Sequence, residues 1–331
     1  MKKIIWLLIS ALTIHCLGQD TTKAKQGKIY GDVFLNANHN FDNSVTSFRL
    51  NRLHLGYLYN ISENYYFNGM FESALEDYAP IPDSAGGEYN NITNLFEFCL
   101  GFNFNNLSGK FGLIGTELNQ KQEQLWQHRY VDKVFADKYG YAPTNDFGFL
   151  IKYQPIDLVN FDLSVTNGEG HKSLQADSTF RYALGATVNL SQSLSFRIYS
   201  DLVNYSSKTQ GNVIAILGYS NNKISCGAEW NAQYNSFGID GFNRSGLSAY
   251  ASSQISKTIQ LFGRYDYVNS NKPNNADERW NIDNDGSLII AGAQHQLHEK
   301  ILLALNYRGW QPAASGSDLN SFLFLDLGVV F

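Results

Sequence analysis

Residues 180–190 read Phe-Arg-Tyr-Ala-Leu-Gly-Ala-Thr-Val-Asn-Leu, and this stretch decides the fold. Apolar residues occupy every second position from Phe180 to Leu190, and mostly small or polar residues stand between them. Because a β-strand directs successive side chains to opposite faces, this segment has one apolar and one more polar face. Residues 96–104 and 159–166 alternate in the same way, with the apolar set including Phe96 and Phe98. Such segments of about ten residues are typical of strands in membrane barrels.

Sixteen segments of the chain carry this pattern. They begin near Lys28, Ser47, Tyr65, Leu95, Leu107, Asp146, Val159, Phe180, Leu194, Gln210, Lys223, Gly246, Ile259, Gly286, Ile301 and Asn320. The short connections between them are 62–64, 105–106, 155–158, 191–193, 221–222, 256–257 and 297–300. The long, polar connections are 38–46, 76–94, 115–145, 167–179, 204–209, 236–245, 269–285 and 309–319. Short and long connections alternate without a break.

This alternation of connection lengths predicts the fold class. An up-and-down barrel places every second connection on the same side of a membrane, with tight periplasmic turns and long external loops. We therefore predict an all-β protein, a transmembrane antiparallel up-and-down β-barrel of about sixteen strands with long external loops, short periplasmic turns and both termini in the periplasm. The alternative is a soluble β-sandwich or repeat array, in which loops need not sort by length.

The first eighteen residues predict the compartment. Lys2 and Lys3 precede an apolar run from residue 4 to residue 17, and small residues stand before Gln19. This is the layout of a cleaved secretory signal, and it is too short for a spanning helix. We expect residues 1–18 to be removed, residues 19–27 to form a short periplasmic segment, and residues 28–331 to form a barrel in the outer membrane of a Gram-negative bacterium.

The mature protein is expected to begin at Gln19 and to carry no lipid. Cys16 suggests a lipoprotein as the alternative, but Thr13 and His15 stand where a lipobox requires Leu and a small residue. Mass spectrometry of the mature N-terminus checks this prediction. A diacylated Cys16 would contradict it.

Composition and motifs narrow the function classes. The net charge of −5 argues against a basic nucleic-acid binder. No G-x-S-x-G, H-E-x-x-H, P-loop or C-x-x-C motif occurs, and the seven histidines stand in dissimilar contexts. The run from Asn281 to Gly286 resembles half of a calcium loop, but Gly292 stands where the loop requires Glu. We expect no enzyme activity, cofactor, metal or nucleic-acid partner, and no disulfide between Cys99 and Cys226.

The last strand carries an expected assembly signal. Apolar residues alternate from Leu323 to Phe331, and the final residue is aromatic. This resembles the terminal strand that the outer-membrane barrel-assembly machinery reads. We therefore expect that machinery, outer-membrane lipid and lipopolysaccharide as partners, with Phe331 as the assembly signal.

Residues 112–170 carry a resemblance to a family. A strand enters a long connection containing Trp126 and Arg129, a new strand starts at Asp146–Gly148, and the next ends in Asn167–Gly170. Together with the hairpin 48–72, this resembles the phosphate-selective porin O/P family and related Bacteroidetes porins. The resemblance implies a porin whose third external connection folds into the lumen, and by analogy with sixteen-stranded porins it implies a homotrimer.

Residues 115–145 form the longest connection and the third external one. Trp126, Tyr130 and Val134 recur every four residues and Gly140 can end a helix, so we predict a short amphipathic helix here. The resemblance implies that the connection narrows the pore. Its candidate constriction residues are Lys121, Trp126, His128, Arg129, Lys133 and Lys138. The alternative is an external helix whose basic residues contact lipopolysaccharide phosphates.

Charged residues at the polar positions of the strands are expected to face the lumen. The basic ones are Arg52, Lys110, Lys152, Arg181, Arg197, Arg264 and Arg308. The acidic ones are Asp32, Glu72, Glu97, Asp162, Asp201, Glu229, Asp266 and Asp326. A strong anion filter needs rings of basic residues with few acids, so this balance predicts neutralising pairs and no transfer of phosphate selectivity.

Three functions remain open at this stage. The favoured one is a porin that lets small hydrophilic solutes diffuse passively. The alternatives are a non-channel structural or adhesive barrel within a surface complex and, as the least favoured, a hydrolase at the barrel rim.

Overall fold

The computed structural model describes residues 27–75, 91–173, 175, 178–205, 207–274 and 276–331. The expected signal peptide, nearly all of the segment that follows it, and residues 76–90 of the second long connection lie outside the described residues. Within the described part of the chain, no helix is both long and apolar enough to cross a membrane.

The described residues form a closed barrel of sixteen antiparallel strands. Each strand pairs with its neighbours in the chain, and β1 closes the barrel against β16 in a register that runs from Asp32↔Val330 to Asn40↔Phe322. The strands are β1 Gly27–Asn40, β2 Thr46–Asn60, β3 Tyr65–Leu75, β4 Asn91–Phe104, β5 Leu107–Gly115, β6 Asn145–Ile156, β7 Val159–Thr166, β8 Arg181–Asn189, β9 Leu194–Asn204, β10 Thr209–Ser220, β11 Ile224–Tyr234, β12 Arg244–Gln254, β13 Ile259–Ser270, β14 Gly286–His298, β15 Ile301–Pro312 and β16 Asn320–Val330. Closure leaves no strand edge unpaired. The predicted fold class and strand number are confirmed.

Side chains alternate between the two faces of the wall as the sequence pattern requires. In β8, Arg181 and Ala183 are buried inside the barrel, whereas Tyr182 and Leu184 are exposed on its outer surface. Other strands repeat this pattern, so large apolar residues cover the outside and most charged strand residues face the interior. The alternating connections define a short-turn end and a long-loop end of the barrel.

Phe96 departs from the expected pattern. Its place in the alternation predicts an outward side chain like that of Phe98. The β3–β4 register instead pairs Met70 with Glu97 and Phe71 with Leu95, which leaves Phe96 as an extra residue. A bulge of this kind places two residues opposite one on the partner strand, so Phe96 and the buried Glu97 share the inner face while Phe98 keeps its outward direction. The Phe96 ring therefore lies inside the barrel, 4.4 Å from the His54 ring.

The expected helix through Trp126, Tyr130 and Val134 is wrong in position. Two helices are present instead, α1 at Glu117–Trp126 and α2 at Phe135–Lys138. Gln127 adopts a left-handed φ of 62° and ends α1. The four-residue spacing therefore marks three side chains buried in one cluster, and not three turns of one helix.

Candidate functional site

Residues 115–145, named the inner segment from here on, lie within the barrel. Ser225 Oγ of β11 donates a hydrogen bond to the Leu125 carbonyl at 2.9 Å. Tyr130 OH donates to Gln294 Oε1 of β14 at 2.8 Å, and Tyr139 OH donates to Asp266 Oδ2 of β13 at 3.0 Å. These contacts place the inner segment against the wall formed by the later strands.

Wall side chains hold the backbone of the inner segment through its carbonyl groups. Arg264 Nη1 donates to Lys133 O at 2.6 Å, and Arg244 Nη1 donates to Tyr139 O at 2.8 Å. Asn212 Nδ2 donates to Tyr141 O at 2.8 Å. Hydrogen bonds from charged donors contribute about 1.5–3 kcal/mol each, so these contacts give an irregular stretch a defined path. Sequence reasoning missed Arg244 because it placed the start of β12 two residues too late.

The apolar face of the inner segment fits against glycines of the wall. A Cβ atom at Gly246 would lie 2.2 Å from the Phe135 ring, and one at Gly218 would lie 2.5 Å from Leu125. A Cβ atom at Gly328 would lie 2.9 Å from the Tyr130 ring. Only glycine leaves room at these three wall positions, so the wall sequence is matched to the segment that it carries.

His128 and Trp126 pack within the segment and do not line open space, which corrects two of the constriction candidates. The His128 side chain is fully buried, with its ring 4.3 Å from that of Phe262. Burial lowers the pKa of His128 to about 4, against the opposing effect of the hydrogen bond to Trp126 O. The imidazole is therefore neutral near pH 7. Trp126 is also buried and donates from Nε1 to Asp132 O at 3.1 Å.

Lys138 is a third corrected candidate, because its charge is neutralised within the segment. Its ammonium group lies 2.9 Å from Asp132 Oδ2, and both side chains are largely buried. Burial raises the pKa of Asp132, but the charges of Lys138, Arg308 and Arg264 outweigh that effect and hold it well below its usual range. The pair stays ionised and contributes little net charge to the lumen.

Three cavities adjoin the inner segment among the described residues. Cavity 1, of about 200 Å³, lies between the segment and strands β2–β4. Cavity 2, of about 140 Å³, follows towards the short-turn end, and Gln120 lines both cavities. Cavity 3, of about 670 Å³, lies at the short-turn end and is lined by Lys121, by residues of two turns and by Ser220 at the end of β10. Among the six constriction candidates, Arg129 and Lys133 line cavity 1 and Lys121 lines cavity 3.

Ion pairs bridge the wall and the inner segment beside cavity 1. Arg52 Nη1 of β2 lies 3.9 Å from Glu123 Oε1 of α1. The same Glu123 oxygen lies 3.1 Å from Arg129 Nε, and Arg129 Nη2 lies 3.1 Å from Asp137 Oδ2. Alternating charges therefore connect the two sides of the lumen at this level.

Each of the seven basic lumen candidates lies against a carboxylate. Arg52 lies 3.2 Å from Asp32, Lys110 lies 2.7 Å from Glu97, and Lys152 lies 2.8 Å from Glu117. The other pairs are Arg181 with Asp201, Arg197 with Asp162 at 2.6 Å, Arg264 with Asp266 at 2.6 Å, and Arg308 with Asp326 at 2.6 Å. Glu229 instead accepts a hydrogen bond from Gln122 of α1. The wall charges are thus mostly neutralised in place.

The described part of the chain holds no group of three or more His, Cys, Asp and Glu side chains placed to bind a metal ion. Asp285, in the calcium-like run, accepts hydrogen bonds from Ser270 N at 2.9 Å and Ser270 Oγ at 2.6 Å. Cys99 and Cys226 are free thiols.

Comparisons with known proteins support the fold. No family model and no curated protein match this chain. OmpF of Salmonella typhi, in complex with daunomycin, has a TM-score of 0.70 at 11% identity, over 93% of this chain and 98% of that one. The anion-selective porin of Comamonas acidovorans has a TM-score of 0.64 at 11% identity, over 93% and 100%. In-vitro folded OmpT of Vibrio cholerae, in a trimer form, has a TM-score of 0.61 at 12% identity, over 93% and 100%.

The likeness at these identities is one of fold, that of an outer-membrane porin barrel. The resemblance to the phosphate-selective porin O/P family rests on the quoted motifs alone.

Proposed function

We propose that this protein is an outer-membrane porin through which small hydrophilic solutes or ions diffuse passively. The observation that carries the proposal is the succession of cavities 1 and 2, which share Gln120 and follow one side of a closed barrel with an apolar exterior. A barrel of sixteen strands encloses an aqueous channel and not a packed core. Single-channel recording in planar bilayers tests this proposal.

The apolar exterior supports a location in the outer membrane. Tyr182, Leu184 and Leu202 are each more than half exposed on the outer surface, where lipid would cover them. In this proposal the short-turn end and both termini face the periplasm, and the long-loop end contacts lipopolysaccharide. A homotrimer, as in the OmpT trimer form, is the proposed assembly. Light scattering of the detergent-solubilised protein tests it.

We further propose that the inner segment sets the narrowest part of the pore. Arg52, Glu123 and Arg129 are the groups that meet across the lumen beside cavity 1, so a solute passing this cavity would encounter their charges. Because most charges are paired, we expect weak ion selectivity, with a slight preference for anions from Lys121 and Lys133. These two lysines of the inner segment have no ion pair among the described residues.

The second candidate function is a non-channel structural or adhesive barrel. The contact between Arg52 and Glu123 favours it, because that pair joins wall to inner segment and narrows the space between them. A folded, inserted protein without conductance would support this candidate. We expect no hydrolase activity at the rim, and lipid- and peptide-hydrolysis assays on the refolded protein would check that.

Deleting Phe331 is expected to lower the amount of protein in the outer membrane severely. Its backbone N–H donates to Gly31 O at 3.0 Å and its carbonyl accepts from Gly31 N at 3.1 Å, so the residue extends the β1–β16 seam that closes the barrel. Quantitative blotting of outer-membrane fractions measures the effect. Leu323→Ala, on the outer face of the same strand, is the matched control. Equal amounts of the deletion variant and the control would contradict the assembly role.

A further inference from the structure

We propose that cavity 1 is a transit binding site for small zwitterions, which carry one carboxylate and one ammonium group, such as a free amino acid or a short peptide. This inference rests on the proposed porin function. The cavity measures about 200 Å³. At about 30 Å³ per water, that is the volume of roughly seven waters, which is on the scale of a small peptide.

The positive side of the site is Lys133. Arg264 Nη1 holds the Lys133 carbonyl at 2.6 Å, so the backbone that carries this lysine is fixed against the wall. The side chain is exposed, lines the cavity and has no ion pair among the described residues. Among the other cations that line cavity 1, Arg129 lies against Glu123 and Asp137, and Arg52 lies 3.2 Å from Asp32. Lys133 is thus free to receive a solute carboxylate.

The negative side of the site is the wall formed by β3 and β4. Glu72 lies 3.1 Å from His54 Nε2 and 3.5 Å from His171 Nε2, so its partners are imidazoles and not permanent cations. Glu97 also lines the cavity, and its carboxylate forms an ion pair with Lys110. These two carboxylates of β3 and β4 are the groups of the site that suit a solute ammonium.

A buried, unmatched acceptor provides an independent observation. Asn119 of α1 lines the cavity and is 5% exposed. Its amide nitrogen donates to Thr116 Oγ1 at 2.9 Å and to Pro143 O at 3.1 Å, which fixes the orientation of the group. Its Oδ1 atom has no hydrogen-bond partner. A buried acceptor left unpaired is costly, and an ammonium or amide N–H of a solute would satisfy it.

The charge arrangement favours a zwitterion over a simple ion. A small anion at Lys133 would remain close to the carboxylates of Glu72 and Glu97, and a small cation at that wall would remain close to Lys133. A zwitterion places one group at each side and brings no net charge into a narrow path, where uncompensated charge is unfavourable. The Phe96 ring, directed inward by its bulge, offers an apolar surface to the carbon atoms between the two groups.

The experiment measures interruption of the KCl current through single channels of the full refolded protein. Glycylglycine is the zwitterionic probe, N-acetylglycine is the anionic probe and glycinamide is the cationic probe. We expect a saturable block by glycylglycine, at lower concentration than with either other probe. Lys133→Gln should raise the half-blocking concentration of glycylglycine about fivefold, because the variant loses one partly exposed charge contact. Lys133→Arg keeps the positive charge and should leave the half-blocking concentration unchanged.

Lys121→Gln is the matched control, because Lys121 is the other unpaired lysine of the inner segment and lines cavity 3. It should leave the glycylglycine block unchanged. An equal block by N-acetylglycine would replace the proposal with an anion site, and an equal shift in both lysine variants would overturn the placement in cavity 1. Normal KCl conductance without saturable block would overturn the inference and leave the porin function intact. Absence of KCl conductance would overturn both.

Discussion

Deletion of Gln120–Lys138, with a glycine-containing turn in its place, is expected to raise the single-channel conductance several-fold. The deletion removes most of α1 and all of α2, which occupy the lumen between the early and late strands. It also removes Glu123 and Arg129, the groups that meet Arg52 across the path.

The expected increase comes from width, because the deletion changes the charge very little. Residues 120–138 contain four basic residues, Lys121, Arg129, Lys133 and Lys138. They also contain three acidic residues, Glu123, Asp132 and Asp137, so the net change is a single charge. The ion selectivity of the deletion variant should be weaker than that of the unmodified protein, because a pore discriminates between ions that pass close to its charged groups.

Deletion of residues 314–317 in the last long connection is the matched control. This stretch lies beyond β15 and should leave the conductance unchanged. Unchanged conductance in a correctly folded inner-segment deletion would contradict the constriction proposal, whereas the barrel fold would still stand.

Asp162→Arg is expected to destabilise the barrel by about 3–5 kcal/mol, the range for breaking a buried ion pair. Asp162 is buried inside the wall, where Arg197 Nη1 and Nη2 bind its two oxygens at 2.6 and 2.9 Å. Gly185 lies between them on β8, and a Cβ atom there would lie 2.3 Å from Arg197 Nη2. The sequence alone places Asp162 among the lumen-facing charges, but it does not reveal the bidentate partner.

The measurement is the free energy of unfolding in lipid vesicles, and two further variants serve as comparisons. Phe161→Arg places a charge on the apolar exterior, at a cost of about 2–4 kcal/mol near the membrane midplane and less towards its edges. Asp157→Arg makes the same charge change in an exposed turn and should stay within about 0.5 kcal/mol of the parent protein. If Asp162→Arg were as mild as Asp157→Arg, the buried pair would not stabilise the wall.

The strands were predictable because one physical rule governs them. Every strand needs an apolar outer face and a more polar inner face, and the period of two in residues such as 180–190 records that need directly. The rule fails where the backbone departs from regular pairing. At Phe96 an extra residue puts two successive side chains on the inner face, and no feature of the sequence marks the bulge.

The inner segment was predictable as one long connection between β5 and β6, but its internal structure was not. The buried side of α1 includes Asn119 and Gln122 as well as Leu118, so apolar periodicity does not identify this helix. His128 illustrates a second limit, because composition does not distinguish a buried, neutral imidazole from a charge in open water. Lys133 was identified correctly as a basic residue of the segment, but its lack of an ion pair depends on the folded path.

The most direct test is single-channel conductance of the unmodified protein in planar bilayers under a KCl gradient. The proposed function predicts discrete current steps whose size grows linearly with voltage, which is a constant conductance, and a small reversal potential because most lumen charges are paired. A protein that is folded and inserted but gives no steps would contradict the porin proposal and favour a closed structural barrel.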